Sequence, residues 1–166
     1  MADKTAFPTN EWNEVLAGPL MAAMAVSAAD PSGLLGLLKE NFASAKVLMT
    51  AKQTSTSGLI KAIVADLETA EGRAAARAAV EGRFSGAPGN EIKMRSIDAL
   101  RYVAASLDKN APEDGAAVKT WLRDIGEAVA EASSEGGFFG LGGVTVSDAE
   151  KASLAEIDDA LGRASA

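Results

Sequence analysis

The stretch that decides the fold runs from residue 118 to residue 132 and reads VKTWLRDIGEAVAEA. Its apolar side chains recur every three or four residues, which is the spacing of one face of an α-helix. The charged side chains fall between them, on the side that we expect to face solvent. The pattern predicts an amphipathic helix that ends near residues 133–136, where Gly136 and Gly137 can leave the helical conformation without a Cβ penalty. The apolar positions are Val118, Trp121, Leu122, Ile125, Ala128, Val129 and Ala132.

A second helix follows, and its start is marked by Ser147-Asp148-Ala149-Glu150. This is the sequence of a capping box, in which the serine hydroxyl accepts from the N–H of Glu150 and the glutamate carboxylate accepts from the serine N–H. An apolar stripe continues it through Leu161, and Gly162 is the expected stop. We therefore predict two antiparallel helices whose side chains form much of the core. The predicted core residues are Trp121, Leu122, Ile125, Val129, Leu154 and Ile157.

The connection between these two helices combines glycines with aromatic residues, since residues 137–144 read GFFGLGGV. Two interpretations are open. In one, Phe138 and Phe139, with Leu141, form an exposed apolar tip that binds a partner or a membrane surface. In the other, at least one ring packs against the C-terminal helix pair or against the apolar helix at residues 20–29. Burial is the commoner state of phenylalanine, so we favour the second interpretation.

The rest of the chain shows the same helical periodicity. We predict further helices over about residues 11–29, 34–49, 59–67, 71–84 and 90–107. Thr9 or Asn10 is the expected cap of the first helix and Ser57 that of the third. Pro19 is expected to kink the first helix or to divide it at Gly18.

The connections between these helices are read from proline, glycine and polar residues. The polar stretch after Thr50 and residues 108–115 are expected to be connections. The sequence does not decide whether the helix breaks at residues 69–72. Residues 1–9 are expected to be a mobile arm, and residues 10–166 a single all-α domain, a helix-hairpin bundle of six to seven helices.

An internal similarity links residues 25–37 with residues 128–141. Both read as a helix of small residues, an acidic turn, a glycine, two large apolar residues and Gly-Leu. One interpretation is a pseudo-repeat of two similar helix hairpins. The competing explanation is chance, because alanine-rich helices resemble one another.

The C-terminal residues also carry a family resemblance. Ala128-Val129-Ala130, an acidic turn, residues 147–151 (SDAEK) and Ala160-Leu161-Gly162 together resemble the repeated helix-turn-helix of tellurite-resistance TerB-like domains. The resemblance implies an all-helical fold of similar length, a stress-associated role and a metal site at the acidic turns. The family's Asp-Gly turn is replaced here by residues 134–137 (SEGG), whereas Asp30 keeps an aspartate in the other copy.

Composition restricts the classes of function. The 166 residues contain no cysteine and no histidine, which removes thiolate nucleophiles, Cys–His and Ser–His catalysis and the usual zinc ligands. The net charge of −7 disfavours nucleic acid as a partner. The apolar segment at residues 15–29 is too short for a membrane span. We therefore expect a cytoplasmic protein that is not an enzyme and uses no cofactor.

The remaining candidates for chemistry are carboxylates and arginines. Asp30, Glu135, Asp148 and Glu150 are candidate ligands of a hard cation such as Ca²⁺, but we favour the simpler interpretation that they solvate turns and cap a helix. Arg73, Arg77 and Arg83 form either a basic face for an acidic partner or the solvated side of an alanine-rich helix, which we favour.

Two function hypotheses follow. The preferred one is a non-enzymatic interaction protein, a stress-associated TerB-like module that binds a protein partner or a second copy of itself. The alternative is a helical protein that binds a metal ion or a small apolar ligand.

Overall fold

The structure is a computed structural model and describes residues 2–28, 48, 50, 51, 53–134 and 146–162. These residues are almost entirely helical and contain no strand, which confirms the predicted all-α, single-domain bundle. Two short 3₁₀ helices, Lys4–Ala6 and Gly89–Glu91, precede longer helices. The six longer helices are α1 (Thr9–Ser27), α2 (Gly58–Leu67), α3 (Ala70–Phe84), α4 (Ile92–Asn110), α5 (Pro112–Ser134) and α6 (Asp148–Ala160).

Helix α1 lies at the centre of the bundle and packs against each of the other five helices. It runs unbroken through Gly18 and Pro19, so the predicted division at Gly18 does not occur. Both residues are buried among neighbouring helices. The missing side chain of Gly18 lets α5 approach, because a Cβ there would lie 3.2 Å from a methyl group of Leu122.

The C-terminal helix pair forms as predicted, and all six predicted core residues are buried. The start of α5 differs from the prediction, because residues 108–115 are not a connection. Helix α4 continues to Asn110, and α5 begins at Pro112, so that Ala111 alone joins them. Proline fits the first position of a helix, where its missing N–H would have no intrahelical partner.

The capping box at the start of α6 is confirmed. The backbone N–H of Glu150 donates to the Ser147 hydroxyl over 3.2 Å, and the N–H of Ser147 donates to the Glu150 carboxylate over 2.8 Å. Gly162 follows the helix with φ of +68°, a left-handed conformation that glycine adopts without strain. The predicted stop of this helix is therefore confirmed as well.

The N-terminal residues pack on the bundle, whereas the sequence led us to expect an arm outside it. Phe7 is buried, and its ring centroid lies 5.5 Å from that of Trp12. Pro8, rather than Thr9 or Asn10, is the cap residue of α1. Phe7 and Trp12 thus occupy the two positions of a hydrophobic staple, which fixes how the chain enters the helix.

The break between α2 and α3, which the sequence left open, occurs after Leu67. The Thr69 hydroxyl then caps α3 by accepting from the N–H of Gly72 over 2.9 Å. Arg73 donates to the carbonyl oxygen of Glu68 at 2.6 Å and so satisfies the end of α2. Its guanidinium is therefore engaged at a helix end rather than displayed on a basic face.

The region before α2 is only partly described. The helix predicted over residues 34–49 lies almost wholly outside the described residues. Residues 48, 50, 51, 53 and 54 are helical, although we expected a connection after Thr50. Ser57 caps α2 as predicted, because its hydroxyl accepts from the N–H of Ile60.

Polar contacts hold the first turns of α1 to their neighbours. The Glu11 carboxylate accepts from the Ser106 hydroxyl at 2.8 Å, from the Lys109 ammonium at 2.8 Å and from the Asn110 amide at 2.5 Å. Hydrogen bonds from Lys109, Ser106 and Asn110 lower the pKa of Glu11 to about 2. This cluster joins the beginning of α1 to the end of α4.

We expect Ser147→Ala to destabilise the protein by about 1 kcal/mol, because the backbone N–H of Glu150 loses the hydroxyl that accepts from it. For a domain of this size, that corresponds to a fall in melting temperature of about 2–4 °C. Ser147→Asp is the control, since aspartate also caps helices and should leave the melting temperature nearly unchanged. Equal melting curves for the wild type and Ser147→Ala would show that the box contributes nothing.

Two glycines of α3 should respond to alanine in opposite directions. A Cβ at Gly72 would clash with the carbonyl oxygen of Asp66, whereas a Cβ at Gly82 meets no atom within 4 Å. We expect Gly72→Ala to cost about 1–3 kcal/mol through overpacking. Gly82→Ala should stabilise by up to about 1 kcal/mol, because alanine is the better helix former. Denaturant unfolding measures both, and stabilisation by Gly72→Ala would contradict the packing described here.

The Glu11 cluster should make the stability of the protein depend on pH in the acidic range. A pKa lower in the folded state than in the unfolded state stabilises the protein above the unfolded value, and the contribution disappears as pH falls through the folded value. The stability difference between the wild type and Glu11→Gln should therefore be full at neutral pH. It should shrink as pH falls from 4.5 towards 2. Glu81→Gln, at an exposed site on α3, is the control, and a pH-independent difference for Glu11→Gln would refute the assignment.

Candidate binding groove

The predicted site residues divide into two sets. Phe138, Phe139, Leu141, Asp30 and Glu135 lie outside the described residues, so their predicted roles remain predictions. Asp148 and Glu150 lie in the first turn of α6.

The two described carboxylates serve the start of that helix. Glu150 is buried, and its carboxylate accepts the N–H of Ser147. Asp148 is exposed and lies 3.7 Å from the Lys151 ammonium. Across the described parts of the chain, no three acidic side chains come together as a metal site would require.

The structure instead places a groove between α5 and described residues that precede α2 or lie in its first turn. Its volume is about 730 Å³, and it is shallow and widely open to solvent. The α5 wall carries Ala117, Trp121, Asp124 and Ala128, which recur at helical spacing along one side of the helix. The opposite wall consists of Thr50, Ala51, Thr54, Ser55, Thr56 and Ile60.

Some apolar residues of α5 face the core, and others line the groove. Leu122, Ile125 and Val129 face the core and are fully buried, whereas the half-buried Ala128 lines the groove. Trp121 belongs to both, since its side chain is 5% exposed and still forms part of the groove wall. Alanine leaves space beside this large ring, and that difference in size gives the groove its volume.

Two hydroxyl groups of the groove are engaged as donors. Thr54 donates to the carbonyl oxygen of Thr50 over 2.9 Å, and Thr120 donates to that of Ala116 over 3.0 Å. The indole Nε1 of Trp121 is buried and has no hydrogen-bond acceptor among the described residues. The groove therefore offers an apolar surface together with hydroxyl and carboxylate groups.

The sequence did not reveal this groove. We read Trp121, Ala128 and Ala132 as core positions on the same face as Leu122 and Val129. Residue size could have distinguished the groove positions from the core positions, because the alanines lie beside a tryptophan on one edge of the apolar face of α5. The sequence pattern does not show which edge of that face meets another helix, because packing decides it.

Over the described residues, no helix combines the length and the apolar character needed to span a membrane.

Known proteins offer no guide to the groove. Comparisons of the chain with protein-family models, with curated proteins and with solved structures found no match. The resemblance to TerB-like domains is neither supported nor contradicted by them.

Proposed function

We propose that this protein is a non-enzymatic binding protein that takes a small, mostly apolar molecule into the groove beside α5. The observation that carries the proposal is the groove itself, with a volume of about 730 Å³ and Trp121 in its wall. Pockets that bind small molecules commonly have volumes of about 300–1,000 Å³ and apolar or aromatic walls. This corresponds to the small-ligand alternative raised by the sequence and does not depend on the TerB-like resemblance.

The chemistry of the walls supports an apolar ligand. Ala51, Ile60 and Ala128 supply aliphatic surface on both sides of the groove, and Trp121 supplies an aromatic ring. Burying 150–250 Å² of ligand surface at about 25 cal/mol per Å² contributes about 4–6 kcal/mol before the costs of association. Since 4–6 kcal/mol alone corresponds to dissociation constants of about 1 mM to 40 μM, the costs of association leave weak binding, in the millimolar range.

The side chains present support binding rather than catalysis. The sequence contains no histidine or cysteine to act as a base or thiolate. Hydroxyl groups of the groove such as that of Thr54 donate to backbone carbonyl oxygens. A hydroxyl held in this way lacks the neighbouring base that nucleophilic catalysis requires.

The preferred hypothesis from the sequence was a protein–protein interaction centred on Phe138 and Phe139. Those two residues lie outside the described structure, so that hypothesis still rests on the sequence alone. The groove adds a feature that a small molecule fits by size. We therefore place ligand binding first and keep the protein partner as the second proposal.

Nile red, a neutral dye whose emission rises and shifts to the blue in apolar surroundings, tests the proposal. We expect saturable binding to the wild-type protein. Ala128→Phe should weaken it at least tenfold, because the new ring fills the groove. Ala116→Phe is the matched control: it places the same ring at an exposed position of α5 that does not line the groove, and should leave affinity unchanged.

Measurements on the wild type and on these two variants can also contradict the proposal. Circular dichroism and melting temperature establish that both variants are folded before their affinities are compared. Absence of saturable dye binding to the wild type would contradict a groove that holds small molecules. Equal weakening by Ala116→Phe and Ala128→Phe would place the dye elsewhere on the protein.

A further inference from the structure

We propose that the ligand of the groove is a monomeric amphiphile whose unbranched alkyl chain lies along α5 between Ala117 and Ala132. This inference rests on the proposed function and adds the chemical class and the shape of the ligand. It is carried by the length of the groove, by its cross-section and by the order of apolar and polar side chains across it.

The groove is long. Its α5 wall includes Ala117 at one end and Ala132 at the other, and both lie within the continuous helix Pro112–Ser134. At a rise of about 1.5 Å per residue, these two positions are about 22 Å apart along the helix axis. Lining residues occur on each turn between them, so the groove follows α5 for about four turns.

The groove is also narrow for its length. Its volume of about 730 Å³, divided by a length of about 22 Å, gives a mean cross-section of about 33 Å². An α-helix about 10 Å in diameter needs a cross-section of about 80 Å², so a helix of a partner protein does not fit within it. The acyl chains of one bilayer leaflet, which is half of a hydrocarbon core about 30 Å thick, are about 15 Å long. An extended chain of that length fits along the groove, whereas a compact ring system would fill only part of it.

The side chains that line the groove differ in depth. Ala51, Ile60 and Trp121 are buried, so the deepest part of the lining is apolar. The exposed part includes threonines on both sides, such as Thr54 on one and Thr120 on the other. The methylene groups of a chain would cover the apolar part and leave water, while the open side of the groove lets a polar head group stay in solvent. An amphiphile meets both conditions.

A series of n-alkyl maltosides tests this inference on the full chain, with hexyl, octyl, decyl and dodecyl tails on the same uncharged head group. Each compound is added below its critical micelle concentration, and its affinity is measured by titrating the ¹H–¹⁵N signals of α5. Complete burial of a methylene group corresponds to about a fourfold gain in affinity, and an open groove covers about half of each group. We therefore expect the affinity to rise about twofold per methylene, which is about sixteenfold from octyl to dodecyl.

The decisive quantity is the ratio of the dodecyl and octyl affinities when both ends of the groove are closed. In the double variant Ala117→Phe with Ala132→Phe, each new ring takes up about one helical turn and leaves about 11 Å of groove. An octyl chain still fits there, whereas the end of a dodecyl chain does not. The ratio should therefore fall from about sixteenfold to about twofold or less.

The matched control is the double variant Ala74→Phe with Ala116→Phe, which places the same two rings at exposed alanines that do not line the groove. It should keep the wild-type ratio. Equal ratios in the wild type and both double variants, or an equal fall in the control, would overturn the inference. Saturable binding of Nile red in the same groove would then leave the proposed function standing.

The wild-type protein gives an independent test even if the double variant does not fold. Bound dodecyl maltoside should shift the backbone amide signals of α5 along the whole groove, including those of Ala117 and Ala132. Shifts confined to one or two turns beside Trp121 would indicate a compact mode of binding and overturn the inference.

Vesicles of phosphatidylcholine distinguish a monomeric ligand from a chain held in a bilayer. We expect the protein to remain in the supernatant when the vesicles are sedimented, and co-sedimentation would overturn the assignment of a monomeric ligand. Failure of Nile red and of every maltoside to bind would refute the proposed function itself.

Discussion

The arrangement of the bundle depends on the burial of α1. From residue 15 to residue 29 the chain carries no charged side chain, and the described part of this segment is largely buried. A helix that is apolar nearly all round is stable in water only when other elements cover every side of it. The other five helices cover most of its surface and leave Leu20 exposed. Small residues such as Gly18, Ala22 and Ala25 let them come close, so the central helix also sets the spacing of the helices around it.

Apolar packing brings the helices together but does not fix their positions along the axis of α1. The polar side chains at the start of α1 fix those positions. Glu11 binds the end of α4, Trp12 donates to Asp66 of α2, and Glu14 pairs with Arg83 of α3 at 3.1 Å. These contacts come from neighbouring positions of the first two helical turns. They fix how far each partner helix is displaced along α1, because a shift of one turn would separate every pair.

The groove follows from the same packing. Helix α5 uses Leu122, Ile125 and Val129 to cover α1 and α6, and the side that remains carries Ala117 and Ala128. Thr50, Ala51, Thr54 and Ile60 lie across the groove from that side, and small side chains leave the space between them unfilled. The ring of Trp121 is largely buried and also forms part of the groove wall.

The sequence by itself determined the elements, because helix periodicity, capping residues and glycine stops act over a few neighbouring residues. The core of α5 and α6, the capping box at Ser147 and the stop at Gly162 were all predicted for that reason. The staple of Phe7 on Trp12 and the start of α5 at Pro112 were also local, but we did not predict the staple, and we took residues 108–115, which contain Pro112, as a connection. The tertiary structure alone decided which face of each helix meets a neighbour. That choice depends on contacts between residues far apart in sequence, such as Trp12 with Asp66 or Gly18 with Leu122. It placed Trp121 and Ala128 beside a groove, a position that no periodicity along a single helix can specify.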